Sequence, residues 1–378
     1  MPRILIAPDS FKGSLTAVQF CQITEHLIQQ LIPEAQVLRL PLSDGGEGFV
    51  DAFVTADLAT RETVWVSGPL GKKVKAAFAW QAHSNTAMIE MAQASGLPKV
   101  RLDERNPLQT HTYGTGQVIQ AALDKGAQKI VLGLGGSATN DGGVAALQAL
   151  GVEVVDAERL PVGLGGQVLK SIARIDKIPE ALNQVEWVLA CDVTNPLLGA
   201  NGATAIFGPQ KGLQPQQFEL LENGLANWAK VIQQRTGKTV ANLSGAGAAG
   251  GMAAGFMGIL NAQIQPGFEV LREQLQLDAA MQPKDGVPLD WVITGEGRID
   301  EQTAFGKLPM RIAQMAQANH VPCIGICGSL GASLQDLPAF NGLFSIVNAP
   351  MAEMDAMRDA PQLLESLLRN LLPLLKMH

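Results

Sequence analysis

The sequence predicts an α/β protein: a doubly wound, Rossmann-like domain made from both ends of the chain, interrupted by an inserted mixed α/β domain. Three observations carry that reading. At both ends, short apolar runs alternate with segments of helical spacing. Almost every apolar run is followed by a polar loop rich in Gly, Asp, Asn and Ser. The middle breaks the alternation with a hairpin pattern. The 378 residues suffice for two domains. Boundaries are expected near 60 and 285, with 1–60 and 285–378 forming the Rossmann-like domain and 61–284 the insertion.

The elements follow in order. Ile4–Ala7 is an apolar run suited to a buried parallel strand. Thr16 and Gln19 form a capping box for a helix whose Phe20, Ile23, Leu27 and Leu31 share a face, and Pro33 ends it. Val37–Leu40 is a second strand, and a helix begins near Phe49. Thr63–Ser67 and Val74–Trp80, joined through Gly68-Pro69-Leu70-Gly71, read as the hairpin. Ile130–Leu134 and Trp187–Cys191 are strands leading into polar loops. Asp290–Thr294 is a strand followed by a long loop from Gly295 to Lys307, with Pro309 in the first turn of the next helix. Pro322–Cys327 and Leu343–Val347 complete the strands, and a Leu-rich amphipathic helix closes the chain.

Composition excludes several classes. Hydrophobic residues at 47% against 17% charged allow a buried core, so a disordered chain is excluded. Aromatics at 5% are too few for base-stacking platforms, and 28 basic against 35 acidic residues give −7, so neither nucleic acid nor an anionic membrane is an expected partner. Four cysteines make no disulfide framework, and Cys323 and Cys327 read as core residues of one strand face. The chain opens without a charged n-region or long apolar stretch, and Gly245 to Leu260 is too short to span a bilayer. A cytoplasmic protein is expected.

In open parallel sheets ligands bind beyond the carboxyl ends of the strands. Those positions hold Asp9, Ser10, Lys12 and Ser14; Ser43, Asp44 and Glu47; Gly135, Gly136, Ser137, Thr139, Asn140 and Asp141; Asp192, Thr194 and Asn195; and Glu296, Arg298, Asp300 and Lys307. Any one such loop could be mere turn chemistry. Five together read as one site in an interdomain cleft. The mixture suits phosphoryl transfer, which needs backbone donors and cations at phosphate, carboxylates for Mg²⁺, and a group that handles the acceptor hydroxyl. Gly133–Ser137 supplies backbone that can cradle an anion, with Gly135, Gly136, Ser137 and Asn140 as nucleotide-binding candidates. Lys12 and Lys307 are placed to neutralise a transferring phosphate, and Arg298 to hold a carboxylate through both arms of its fork. Asp192, Glu296 and Asp300 are candidates for metal or base. Phosphate-binding loops of the Gly-x-x-x-x-Gly-Lys-Ser/Thr type are absent. Gly245, Gly247 and Gly250 match Gly-x-Gly-x-x-Gly, but the preceding Thr239–Leu243 is a poor strand. His111, beside the only tyrosine, Tyr113, either lines the cleft or serves a loop backbone.

Ala7–Ser14, Leu42–Gly48 and Gly133–Gly143, with Cys191–Leu197, Phe207–Gly212 and Thr294–Asp300, resemble the type-1 glycerate kinase family in order along nearly the whole chain. The resemblance implies an ATP-dependent kinase that phosphorylates D-glycerate, in this branch usually at the 2-hydroxyl, within glyoxylate or sugar-acid breakdown. Under it Asp192, Lys12, Lys307 and Asp300 are expected as catalytic residues. Asp9, Ser10, Ser43, Asp44 and Arg298 are expected at the acid, and Asp192 and Glu296 at Mg²⁺. Two other readings compete: a nicotinamide-dependent hydroxy-acid oxidoreductase, which lacks a dinucleotide fingerprint after the first strand, and a non-catalytic sugar-acid-binding protein of the same fold.

Overall fold

A computed structural model of the chain describes residues 1–43 and 45–375, including the backbone but not the side chain of Phe305. Among them the strands, in chain order, are β1 Arg3–Ile6, β2 Gln36–Arg39, β3 Thr60–Ser67, β4 Lys73–Gln81, β5 Thr86–Glu90, β6 Lys129–Gly133, β7 Glu153–Val155, β8 Arg174–Lys177, β9 Glu186–Ala190, β10 Gln263–Gln265, β11 Trp291–Ile299, β12 Cys323–Leu330 and β13 Gly342–Ser345. They form one mixed α/β chain of two compact units. The first unit is Met1–Ser43, Asp51–Leu58 and Phe268–His378; the second is Asp44–Val50 and Ala59–Gly267. Residues 268–284, assigned by the sequence reading to the insertion, cluster with the terminal unit.

The first unit holds a five-stranded sheet in the order β13-β12-β11-β1-β2, all neighbours parallel. Strand order reverses direction between β1 and β11, the kind of switch point beside which doubly wound sheets bind ligands. Helix Ala17–Leu31 starts at Thr16, where both bonds of the capping box with Gln19 form, and it buries Phe20, Leu27 and Ile28. It packs with helix Ala360–Leu375 over Ile4, Ile6, Ile293, Ile324 and Ile326. Helix Leu308–Ala318, with Pro309 in its first turn, packs on β11 and β12. One sequence expectation fails here. The stretch after Thr294 is not loop: β11 runs on to Ile299, pairing Arg298 with Ser329 and Ile299 with Leu330. Gly295, a residue that suits a loop, is needed for this strand pairing. A Cβ on Gly295 would lie 2.2 Å from the Ile326 carbonyl oxygen.

The second unit holds a six-stranded sheet in the order β10-β9-β6-β5-β4-β3. The predicted hairpin is β3–β4, antiparallel from Thr60↔Trp80 to Ser67↔Lys73. Strand β5, buried at all five residues, pairs antiparallel with β4 and parallel with β6, so the sheet changes direction there. A separate pair, β7–β8, runs antiparallel. Trp187, Leu189, Trp228, Met252 and Phe256 lie in the main core.

The Gly245–Gly250 fingerprint follows no strand. Ala249, Gly250 and Gly251 have left-handed backbone, and regular helix runs on to Leu260. A Cβ on Gly250 would lie 2.1 Å from the Thr139 carbonyl oxygen, and one on Gly255 2.3 Å from that of Gly142. The small residues let backbone pack on backbone, which a dinucleotide site does not require. All four cysteines are free; Cys323 and Cys327 are buried on β12 as expected. Among the described residues no helix is long and apolar enough to cross a membrane.

Candidate active site

In the second unit, β6 delivers the chain into the loop 134–143. The loop is fixed before it does anything else. The Leu134 N–H donates to Ala190 O and the Gly135 N–H to Gly45 O, 3.2 Å. Leu97 N–H donates to Gly136 O and Ala138 N–H to Ser95 O, while Thr110 Oγ1 donates to Ala138 O. Gly136 is exposed in left-handed backbone, φ +71°, which glycine adopts without strain. Gly135 lies against the neighbouring 45–46 backbone. A Cβ there would lie 2.5 Å from Gly46 Cα, so its missing side chain serves the approach of the 45–46 backbone, and its amide already has a partner.

Asp141 ends the loop fully buried. Its carboxylate accepts Thr112 N–H and Thr112 Oγ1–H, both 2.8 Å, and Gly143 N–H at 3.1 Å. Burial pushes its pKa up, against these three donors and the nearby His111. Burial likewise pushes the His111 pKa down, opposed by the Asp141 field. His111 is buried with its backbone N–H on Pro69 O and, among the described residues, no partner on Nδ1. Asn140 is also buried, its amide donating to Thr204 Oγ1 at 3.3 Å.

The residue that sequence reasoning missed is Lys211. It sits in the short turn Pro209–Lys211, followed by Gly212 at φ +85°, where a Cβ would lie 2.3 Å from Arg105 O. Arg105 also donates to Gln210 O. Held this way, Lys211 reaches Ser137 Oγ at 2.9 Å and Thr139 O at 2.7 Å. Burial pulls its pKa down to about 7, with Asp141 acting in the opposite sense. A lysine between two glycines, Gly208 and Gly212, was the available signal.

Asp192 follows β9 and is exposed. Its Oδ1 accepts the N–H of Gly267, 3.0 Å away.

In the first unit, the candidates lie after β1, after β2, and on or just after β11. Asp9 N–H donates to Gly295 O, extending the β1–β11 pairing, and Asp9 Oδ1 accepts Ser10 N–H at 2.7 Å. Lys12 is exposed and Ser43 is buried; Asp44 lies outside the described residues. Glu296 and Arg298 stand on the strand β11 itself. Arg298, with its side chain 71% exposed, pairs through Nε with Asp300 Oδ2 at 2.9 Å. Lys307 Nζ lies 3.5 Å from Glu296 Oε2 and 3.7 Å from Asp300 Oδ1. Thr303 Oγ1 donates to Glu296 Oε1, and Asp300 caps the turn 301–305 by accepting Gln302 N–H. Burial raises the Glu296 pKa, with Lys307 the chief opposing influence. Arg298 and Lys307 each already face a carboxylate. An arriving anion would exchange partners rather than meet a bare charge.

A family model described as the glycerate kinase family matches residues 4–376. The chain belongs to the glycerate kinase family. It is 44% identical to the glycerate kinase of Halalkalibacterium halodurans over 375 residues, 98% of this chain and 97% of the relative. It is also 44% identical over 330 residues to the glycerate 2-kinase of Escherichia coli K12, covering 87% and 85%. The crystal structure of the proposed glycerate kinase 2 of Salmonella typhimurium LT2 superimposes with a TM-score of 0.86 at 41% identity, covering 100% of this chain and 98% of that one.

A kinase of this family takes ATP as phosphate donor. The pinned loop fits that requirement, since it offers an exposed left-handed glycine followed by a hydroxyl already bonded to a lysine. Among the described residues no group of three or more His, Cys, Asp or Glu is arranged to hold a metal ion.

Proposed function

We propose that this glycerate kinase family member transfers the γ-phosphoryl group of ATP to D-glycerate, at its 2-hydroxyl, as a step in glyoxylate or sugar-acid breakdown. One observation carries the reading most: membership of the family over residues 4–376, with polar segments after β1, β6 and β9 and along the end of β11 supplying the residue types this chemistry needs. In this reading Gly136, Ser137 and Asn140 meet the nucleotide phosphates, with Gly135 shaping the loop from behind. Asp9, Ser10, Ser43, Asp44 and Arg298 receive the acid. Arg298 leaves Asp300 for the substrate carboxylate, which it can grip through both arms of its fork. Lys12 and Lys307 offset phosphoryl charge. Asp300 positions Arg298 and Lys307, with both of which it pairs. Asp192 is assigned to Mg²⁺ or to the proton of the attacking hydroxyl. Glu296, engaged by Thr303 and Lys307, is the weaker metal candidate. Mg²⁺, when bound, would neutralise phosphate charge and orient the transferring group.

Phosphorus NMR of the product formed from D-glycerate and Mg·ATP tests this. The 2-phosphoglycerate resonance is expected. A 3-phosphoglycerate resonance moves transfer to the other hydroxyl, and no ADP above an acid-free control overturns the kinase reading.

A further inference from the structure

Lys211 is 1% exposed and belongs to the largest fully buried side chains of the protein. An amine so deep must be compensated. Both of its bonds go to one short stretch of the phosphate-loop candidate, Ser137 Oγ at 2.9 Å and Thr139 O at 2.7 Å, although 72 to 74 residues separate them in sequence. The same stretch carries two buried polar atoms without hydrogen-bond partners among the described residues, Thr139 Oγ1 and Asn140 Oδ1. Buried polar atoms are nearly always paired, so this part of the loop holds bonding capacity that the protein itself does not use.

We infer that Lys211 is a positioning residue for the nucleotide phosphates, fixing the Ser137 hydroxyl and the Thr139 carbonyl so that the loop presents donors to an anion. The reason lies in the direction of the bonds. Lysine donates to Ser137 Oγ, and the hydroxyl proton is then left to be donated onward, which is what a phosphate oxygen requires. The same amine ties down the Thr139 carbonyl, a group an anion would repel. Charged or neutral, the amine has a proton for each acceptor, so the assignment does not depend on its titration. The inference rests on the reading that the loop Gly136–Asn140 receives the nucleotide.

The test is steady-state kinetics on Lys211→Met and Lys211→Ala. Methionine fills the space without a buried charge, so a folded protein is expected. Its apparent KM for Mg·ATP should rise roughly tenfold or more, with that for glycerate within about twofold. Propylammonium, the fragment removed in Lys211→Ala, should restore part of the loss in that variant and none in Lys211→Met. An unchanged ATP KM, an equal rise in both KM values, or no rescue overturns the inference. Lys211→Gln, which can keep one bond, stands in if the Met variant does not fold; an intermediate ATP KM is expected, and a wild-type one overturns the inference. Gly136→Asn separates the two readings, because asparagine tolerates the left-handed backbone while adding bulk. If Gly136→Asn leaves the ATP KM alone, the loop reading fails. If it raises the KM and Lys211→Met does not, only the role of Lys211 fails.

Discussion

Asp141 and Asp300 each stand just ahead of a helical turn and accept a backbone N–H from it, yet their surroundings differ throughout. Asp141 is fully buried, with two Thr112 donors on one oxygen and the Lys211 amine close enough to feel its field. Asp300 faces Arg298, whose side chain is 71% exposed, and Lys307 at 3.7 Å. The first region is a scaffold whose geometry is settled before any ligand arrives. The second is a set of exchangeable ion pairs, weakly held because water screens them. A phosphate cradle profits from fixed backbone donors that need no reorganisation. A small-acid site profits from a guanidinium that can change partners.

The largest effect is expected where chemistry, rather than either scaffold, is touched. Asp192→Asn keeps an oxygen for the Gly267 N–H but removes the carboxylate. If Asp192 is the base, kcat should fall about 10²–10⁴-fold with ATP binding little changed. If it is a metal ligand, activity should return in part at high Mg²⁺. Full activity at ordinary Mg²⁺ removes Asp192 from both roles.

The contrast itself is sharpened by truncating both sides. Asp141→Ala leaves the buried Thr112 and Gly143 amides without an acceptor, at about 1–3 kcal/mol each, so urea unfolding should show a loss of several kcal/mol. Arg298→Ala removes a pair whose guanidinium is 71% exposed and should cost less than about 1 kcal/mol. Equal losses would mean that the two regions are built alike.

The pH dependence of stability adds a smaller test. Folding lowers the Lys211 pKa from 10.5 to about 7. Between those values the unfolded chain binds the extra proton, so this group makes stability rise with pH across that window, and its penalty is complete below pH 7. Lys211→Met removes the penalty. Its melting temperature relative to wild type should therefore be more favourable at pH 6 than at pH 9.5, and a difference independent of pH would show that the buried amine does not titrate there.

Local signals were legible wherever chemistry is local. The capping box at Thr16 and Gln19, Pro309 in a first turn and the hairpin around Gly68–Gly71 depend on neighbours a few residues away. The glycine-rich loop after β6 was visible as turn residues following an apolar run. Three things were not visible. Strand β5, Thr-Ala-Met-Ile-Glu, is buried at every residue, so it has no alternation to betray it. Glu296 and Arg298 looked like loop residues because Gly295 and Gly297 flank them, while the strand depends on pairing with β12. Lys211 lay within the Phe207–Gly212 motif, but nothing in that motif marks its side chain as buried. Its burial is created by a loop far away in sequence, and no window of sequence contains both.

The most direct measurement is the pair of apparent KM values, for Mg·ATP and for glycerate, on Gly136→Asn and Arg298→Lys. Lysine keeps the charge at 298 but not the two-armed grip, a loss of about 1–3 kcal/mol, or roughly 5- to 150-fold, in the acid KM alone. Gly136→Asn should raise the ATP KM alone. A crossed pattern is the result predicted for a fixed phosphate cradle and a separate exchangeable acid site; both variants raising the same KM, or neither raising any, would contradict it.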